Sequence, residues 1–417
     1  MISRPKENEE TAILIPGMII PEMVLSFADS LKVNCKVQVV YRKKYAETEE
    51  KDTRLKCGLA LLDMDIEEHQ KILAFLQQAT DSNSYLGSHV DTEALWDFFF
   101  EADFIYPQKY TFLRANKDKI KETYEKLYTL NPTIAKHFIY KRNDRILGHM
   151  AMVRCYENSW LIHHHASSDS VCNSGLMVLN QVGRFINDSH SLSSAHMDFI
   201  FCYFRPENKF PDRVFGMVSR QIKDPKACSL DTFAYLHYKK TVNHKFDSEG
   251  DWSIAKTRPE DLLEVQRFYE HSSGGLMLSA LELEPDMIDM DKLTGEFQRL
   301  GLRRERHLFS LKKNDSLKAV VMANISDIGL NFSDLTNCIQ AIIIDSDNLP
   351  RDIFYGMLSQ IVPKYESEEI PVLLYPVSYA ENHSVSYEKL YNLWAYDVKY
   401  IDYYFKHLER LKRYIQH

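Results

Sequence analysis

The chain has 417 residues, 45% of them apolar and 26% charged, which suits a folded protein with a sizeable core and is too long for one ordinary domain. Its 24 Tyr and 22 Phe exclude a disordered chain. A formal net charge of −8, from 51 basic and 59 acidic residues, argues against nucleic acid as a partner, because phosphate contacts need a basic surface.

Lys43, Lys44, Arg303, Arg304 and Arg306 cluster in sequence, and such runs are commonly solvated faces. The seven cysteines are odd in number and lack CxxC spacing, and some sit in apolar runs such as Phe201-Cys202-Tyr203-Phe204. Reduced, mostly buried thiols in a cytoplasmic protein are expected, not a disulfide framework. Met1 to Glu10 is charged, with no apolar signal-peptide core, and no stretch approaches the ~18 apolar residues of a membrane span.

The first segment, residues 1–80, is predicted to be a β-meander closing on a helix. Leu14 to Phe27 surrounds a Pro16-Gly17 turn, and Leu55 to Leu62 is a further apolar run. Between them Val33, Cys35, Val37 and Val39 alternate with Asn34, Lys36 and Gln38, the period of a half-buried strand. Ile66 to Gln78 has helical spacing. Residues 79–90 are polar and turn-rich, a predicted boundary. Helices follow at Thr92–Glu101 and Asn116–Tyr128. Strands are predicted at His137–Lys141 and Ile146–Tyr156 around the Asn143-Asp144 turn, then at Trp160–Ala166. A helix at Leu176–Asn187, a strand at Met197–Phe204, a short helix at Val214–Arg220 and a closing strand at Thr232–Tyr238 complete the segment 81–245.

After the polar stretch Asn243 to Gly250 the order recurs. It runs through helix Pro259–Glu270, strands His307–Lys312 and Leu317–Ile325 around Asn314-Asp315, strand Cys338–Ile344, helix Pro350–Val362 and strand Pro371–Tyr375. Segment 246–417 is therefore read as a second copy of an α/β domain. Tyr124–Tyr128 and Tyr387–Tyr391 both spell Tyr-Glu-Lys-Leu-Tyr at non-equivalent places, which is read as a coincidence of amphipathic helices.

This order of helix, hairpin, central strand, loop, helix and strand resembles the GNAT N-acyltransferase fold, present twice. Gly148-His149 resembles the glycine of that family's third strand, and Trp160 to Ala166 its fourth, which is followed by the loop and helix that hold acyl-CoA. The resemblance places Tyr203 on the fifth strand. Pro16-Gly17-Met18-Ile19, Val37 to Arg42 and Cys57 to Asp65 look like the later part of a PilZ β-barrel, the bacterial cyclic di-GMP receptor. The fold class expected is thus α/β (α+β): a partial PilZ-like barrel module over 1–80, then two GNAT-like domains over 81–245 and 246–417. The sequence departs from both patterns. Neither RxxxR nor (D/N)xSxxG stands here, although Arg42 and Arg54 supply cations, so cyclic di-GMP binding has no carried-over residues. The glycine-rich (Q/R)xxGx(G/A) is replaced by Ser167 to Gly175, which holds one glycine.

A pyrophosphate needs backbone N–H groups at a helix start, and Asn173, Ser174, Gly175 and Leu176 are the candidates for holding acyl-CoA. Asp169 is the nearby anion. In the second copy Asp345, Asp347 and Pro350 suit helix initiation better than anion binding. Transfer to an amine calls for a general base, for which His149, His163 and His165 are candidates. In a regular strand His163 and His165 face one way and His164 the other. Buried histidines satisfied by backbone, strand-end polar residues and a metal pair stand as alternatives, the last without a third ligand. Tyr203 is a candidate acid for the departing thiolate, or a core tyrosine. Arg205, Glu207 and Lys209 are held between Pro206 and Pro211 in a stiff loop that can bind or merely connect. No GxSxG elbow, P-loop or GxGxxG occurs. Two functions remain open: an acyl-CoA-dependent (or aminoacyl) transferase acting on a small-molecule or protein amine under cyclic di-GMP control, and a non-catalytic module that binds a nucleotide or protein.

Overall fold

Asn143-Asp144 and Asn314-Asp315 take left-handed backbone at both positions, with φ of 51° and 60° in the first and 48° and 62° in the second. Two consecutive left-handed residues match the twist of flanking strands, so each pair folds its neighbouring apolar runs into a tight hairpin. The computed structural model describes the whole chain except residues 1, 4–11, 28–30, 47–52, 87–90, 106, 131–132, 169–172, 243, 247–250, 289–290 and 416–417. It forms two compact units, one of residues 1–82 with 188–196 and one of 83–187 with 197–417.

The first unit contains β1 (Ile2–Ser3), β2 (Ile19–Phe27), β3 (Leu31–Ala46), β4 (Thr53–Asp63) and helix α1 (Ile66–Thr80). Val33, Cys35, Val37 and Val39 are buried while Asn34 and Lys36 are exposed, so the alternation read in the sequence holds. The helix begins where the Asp65 carboxylate accepts from Glu67 N–H at 2.8 Å. Residues 188–196 return to this unit, with Ser193 donating to Asp63 at 3.1 Å and Ser194 to the Met64 carbonyl at 2.8 Å. The expected barrel is corrected here. The antiparallel order β1-β4-β3-β2 leaves β1 and β2 as edges of an open sheet among the described residues, and the two residues of β1 are too few to close it.

The second unit opens with β5 (Ser84–Leu86), inside the stretch read as a boundary. It continues with α2 (Thr92–Glu101), α3 (Tyr110–Ala115), α4 (Lys117–Glu125) and a wider turn, Lys126–Leu130. Then come β6 (Ala135–Arg142), β7 (Arg145–Tyr156), β8 (Ser159–Ser167), α5 (Ser174–Ser189), β9 (Phe199–Phe204), α6 (Met217–Ile222) and β10 (Cys228–Lys239). The second pass has β11 (Trp252–Lys256), α7 (Pro259–Ser272), α8 (Met277–Ala280), α9 (Leu293–Arg299), β12 (Arg304–Lys313), β13 (Ser316–Ser326) and β14 (Ile339–Ile343). It ends with α10 (Arg351–Ile361), β15 (Glu369–Tyr375), α11 (Val377–Asn382), β16 (Lys389–Asp397) and α12 (Ile401–Ile415). Tyr387–Tyr391 is therefore not helical: Lys389 already begins a strand. No helix among the described residues is long and apolar enough to cross a membrane.

All twelve strands of this unit form one sheet in the order β11-β12-β13-β14-β15-β10-β16-β9-β8-β7-β6-β5. The closing strands of the two passes are exchanged. β10, from the first pass, pairs with β15, while β16, from the second, pairs with β9; β10 and β16 pair with each other between them. The segments 81–245 and 246–417 are thus interlocked in a continuous sheet. Trp394 and Tyr396 on β16 are fully buried, so the shared seam is also core.

Candidate active site

Strands β8 and β9 run parallel and pair only from Ser159↔Phe199 to Leu161↔Phe201. Beyond that point β8 continues to Ser167 on β7, and β9 to Phe204 on β16, without pairing to each other. A gap lined by strand backbone therefore opens between them. The corresponding strands of the second pass, β14 and β15, stay paired from Ile339↔Val372 to Ile342↔Tyr375, close to the ends of both. One pass has the gap and the other does not.

A bulge lies in β8 beside this gap. The register slips between His149↔Ala166 and Ala151↔His163, and His164 takes φ 52°. Strict alternation is broken, which corrects the expected facing of the histidines. The rings of His163 and His164 lie 4.0 Å apart, whereas His165 turns to stack on Phe210 at 5.0 Å.

The hydrogen bonds of these histidines assign their protons. Phe332 N–H donates to His164 Nε2 at 3.0 Å, so Nδ1 carries the proton and bonds the Tyr124 hydroxyl. Asn331 Oδ1 accepts from Ser333 and Leu335 N–H, which makes its Nδ2 the donor to His163 Nδ1 at 3.4 Å. His163 Nε2–H then points at the Tyr128 hydroxyl, 3.0 Å away. His149 donates through Nδ1 to the His164 carbonyl at 3.0 Å, leaving a buried Nε2 with no partner. His165 donates from Nε2 to the Gly175 carbonyl at 3.0 Å. Burial lowers the pKa of all four, that of His163 to about 3. They are neutral rings inside the fold, and His149 and His163 are buried in the core, not at a cleft mouth.

At the start of α5, Asn173 (φ 51°) offers its carbonyl to Leu176 and Met177 N–H. The Ser174 hydroxyl is buried; it donates to the Leu147 carbonyl at 2.7 Å and lies 2.7 Å from Ser167 Oγ. It fastens the helix start to β7 and β8 instead of facing outward. A Cβ on Gly148 would stand 2.9 Å from the Ser174 carbonyl, so glycine there permits this close approach. Leu176 is buried. Asp169, Ser170, Val171 and Cys172 lie outside the described residues. In the second pass Asp345 is bound by Lys318 at 2.6 Å and by Asn348 at 3.0 Å. Burial works to raise its carboxyl, but these partners outweigh burial and hold it below the usual range. Glu207 and Lys209 are exposed and Arg205 is half-buried, 3.6 Å from Glu207.

A cavity of about 450 Å³, counting its open part, lies where the two passes meet, and none of these histidines lines it. Leu161, Phe201 and Tyr203 come from one pass, and Phe297, Arg304 and Gln340 from the other. Burial pushes the Tyr203 hydroxyl well above its usual pKa, and it accepts from Gln340 Nε2 at 2.8 Å. Sequence reasoning missed Gln340. Its signal was a single amide within the apolar run Cys338-Ile339-Gln340-Ala341-Ile342-Ile343. Among the described residues no group of three or more His, Cys, Asp or Glu could hold a metal ion.

No family model matches this chain, and no curated protein does. Solved structures similar to it include GNAT-family acetyltransferases. A GCN5-related N-acetyltransferase from Sphaerobacter thermophilus is 6% identical at a TM-score of 0.37, over 76% of this chain and 96% of that one. A tandem GNAT protein from the clavulanic acid biosynthesis pathway is 8% identical at 0.31, over 64% and 84%. A Drosophila protein is 12% identical at 0.39, over 74% and 97%.

Proposed function

We propose that the first pass of the second unit binds an acyl-CoA along the gap between β8 and β9 and transfers its acyl group to an amine. The observation that carries this reading is the divergence of β8 and β9 past Leu161 and Phe201, against β14 and β15, which remain paired. Strand edges in the gap offer backbone N–H and C=O groups that a bound amide-bearing arm can satisfy. The helix start at Asn173 to Gly175 would hold the anionic end, through backbone N–H groups because the Ser174 hydroxyl and the Leu176 N–H are already engaged. Bound acyl-CoA supplies an activated thioester. The acceptor approaches from the cavity, where the neutral Tyr203 is the proton donor for the departing sulfur, and the amine's proton passes to water. His149, His163 and His165 support the strand and take no proton in this reading.

Calorimetry with acetyl-CoA tests it on the full chain. One site per chain is expected. Tyr203→Phe should keep binding and lose turnover, and His163→Gln should keep both. Absence of heat, or two equal sites, would overturn the assignment. Titration with cyclic di-GMP is a separate arm that concerns only the first unit.

The inward-turned Ser174 hydroxyl and the engaged histidines favour a second reading, a non-catalytic binding module. Its signature is acetyl-CoA binding with no acyl transfer to any amine.

A further inference from the structure

The cavity between the passes carries more than a place for an acceptor. Its charged groups are already matched. Arg304 holds Asp291 and donates twice to the Cys155 carbonyl, at 3.0 and 2.7 Å. Glu305 is held by Arg303 at 2.8 Å and His307 at 3.0 Å. Ser326 and Thr336 bond each other at 3.2 Å. Beside these stand Asn324 and the Tyr203–Gln340 pair.

Gln340 is 2% exposed, and its Oε1 has no partner. Tyr203 accepts from Gln340 Nε2, so its own O–H is still to be given. The pair therefore presents one acceptor and one donor side by side. Turning the amide over would not change this, since Tyr203 would then donate to Oε1, leaving a phenol lone pair and an N–H. A buried amide oxygen without a partner is destabilising, and a ligand with a matching donor relieves that cost. Around the pair stand Tyr156, Leu161, Phe201, Phe297, Leu330 and Leu335, an apolar and aromatic wall.

We propose that this cavity is a binding site for an uncharged carboxamide or lactam carried on an apolar, ring-sized body. The amide N–H meets Gln340 Oε1 and the amide C=O meets the Tyr203 hydroxyl. Carboxylates and ammonium ions are disfavoured, because an ion here would be desolvated with no free counter-charge. The site goes beyond the function proposed above: a ligand held here takes up the Tyr203 hydroxyl that would serve the departing sulfur, so it excludes transfer while it is bound. Binding is measured without any acyl donor, so its failure and a failure of acetyl-CoA binding are separate results.

Benzamide and benzoate are the probes, titrated against the full chain and followed by ligand-observed NMR. Benzamide is expected to bind and benzoate at the same concentration is not. Gln340→Leu removes the acceptor and should weaken benzamide about tenfold, the worth of one hydrogen bond. Tyr203→Phe should do the same while keeping the ring, and stands in if Gln340→Leu does not fold. Equal binding of benzamide and benzoate, unchanged benzamide affinity in the folded variants, or no benzamide binding would each overturn the assignment.

Discussion

Acidification below about pH 6.5 should destabilise the second unit through its buried histidines. His163 has both ring nitrogens engaged, and burial lowers its pKa from 6.5 to about 3. Below about pH 6.5 the unfolded chain therefore takes up a proton that the folded chain refuses, so stability is full above that value and falls as pH falls. Between about pH 7.5 and about pH 5 this one ring removes about 2 kcal/mol, and the loss keeps growing towards the folded value near 3 at about 1.4 kcal/mol per pH unit. His149 and His164 shift in the same direction, burial first and neighbouring histidines next. A proton on His164 Nε2 would also displace the Phe332 N–H that donates there. Urea unfolding at intervals over this pH range measures the slope. His163→Gln removes the titrating ring and should flatten the curve by close to one proton, whatever its own stability. A wild-type curve that is flat from about pH 7.5 to about pH 5, or an unchanged slope in His163→Gln, would refute the argument.

Tyr124→Phe leaves His164 Nδ1–H without its acceptor and should cost about 1–3 kcal/mol in urea unfolding, with no change in acetyl-CoA binding. Glu282 accepts from Glu157 and Asn158 N–H, at 2.9 and 2.8 Å, at the β7–β8 turn. Glu282→Ala orphans both donors and should cost about 3 kcal/mol, with Glu282→Gln losing less because its one oxygen still accepts. Deleting residues 389–417 removes the strand paired to both β9 and β10, and should leave a chain without cooperative unfolding by circular dichroism. A soluble, cooperative product would show that each pass closes by itself.

The parts legible in the sequence are those that local chemistry decides. Asn143-Asp144 and Asn314-Asp315 have the residue types that tolerate left-handed backbone, and both hairpins formed around them. Thr92–Glu101 starts where the Asp91 carboxylate meets Glu93 N–H at 2.9 Å, and its bounds were readable. The bulge at His164 was not, because a histidine in left-handed backbone carries no local signature and one extra residue turns every later side chain over. β16 was missed for a related reason. Asn392 and the run of rings from Tyr391 to Tyr396 gave no clean alternation, and both faces of the strand are buried once it lies between β9 and β10. Which strand neighbours which is a long-range choice that no window of sequence holds.

That choice is also what makes the two passes unequal. β9 pairs with β16 along its whole length on the side away from β8, and β8 carries its bulge while paired to β7, where the parallel pair parts after three rungs. In the other pass β15 has β10 along one edge and stays with β14 along the other until Tyr375. Gln340 of β14 meets Tyr203 of β9, so residues of both passes line the cavity. The unit in this way has one gap and still uses both passes: the second contributes a wall of the cavity in place of a second gap.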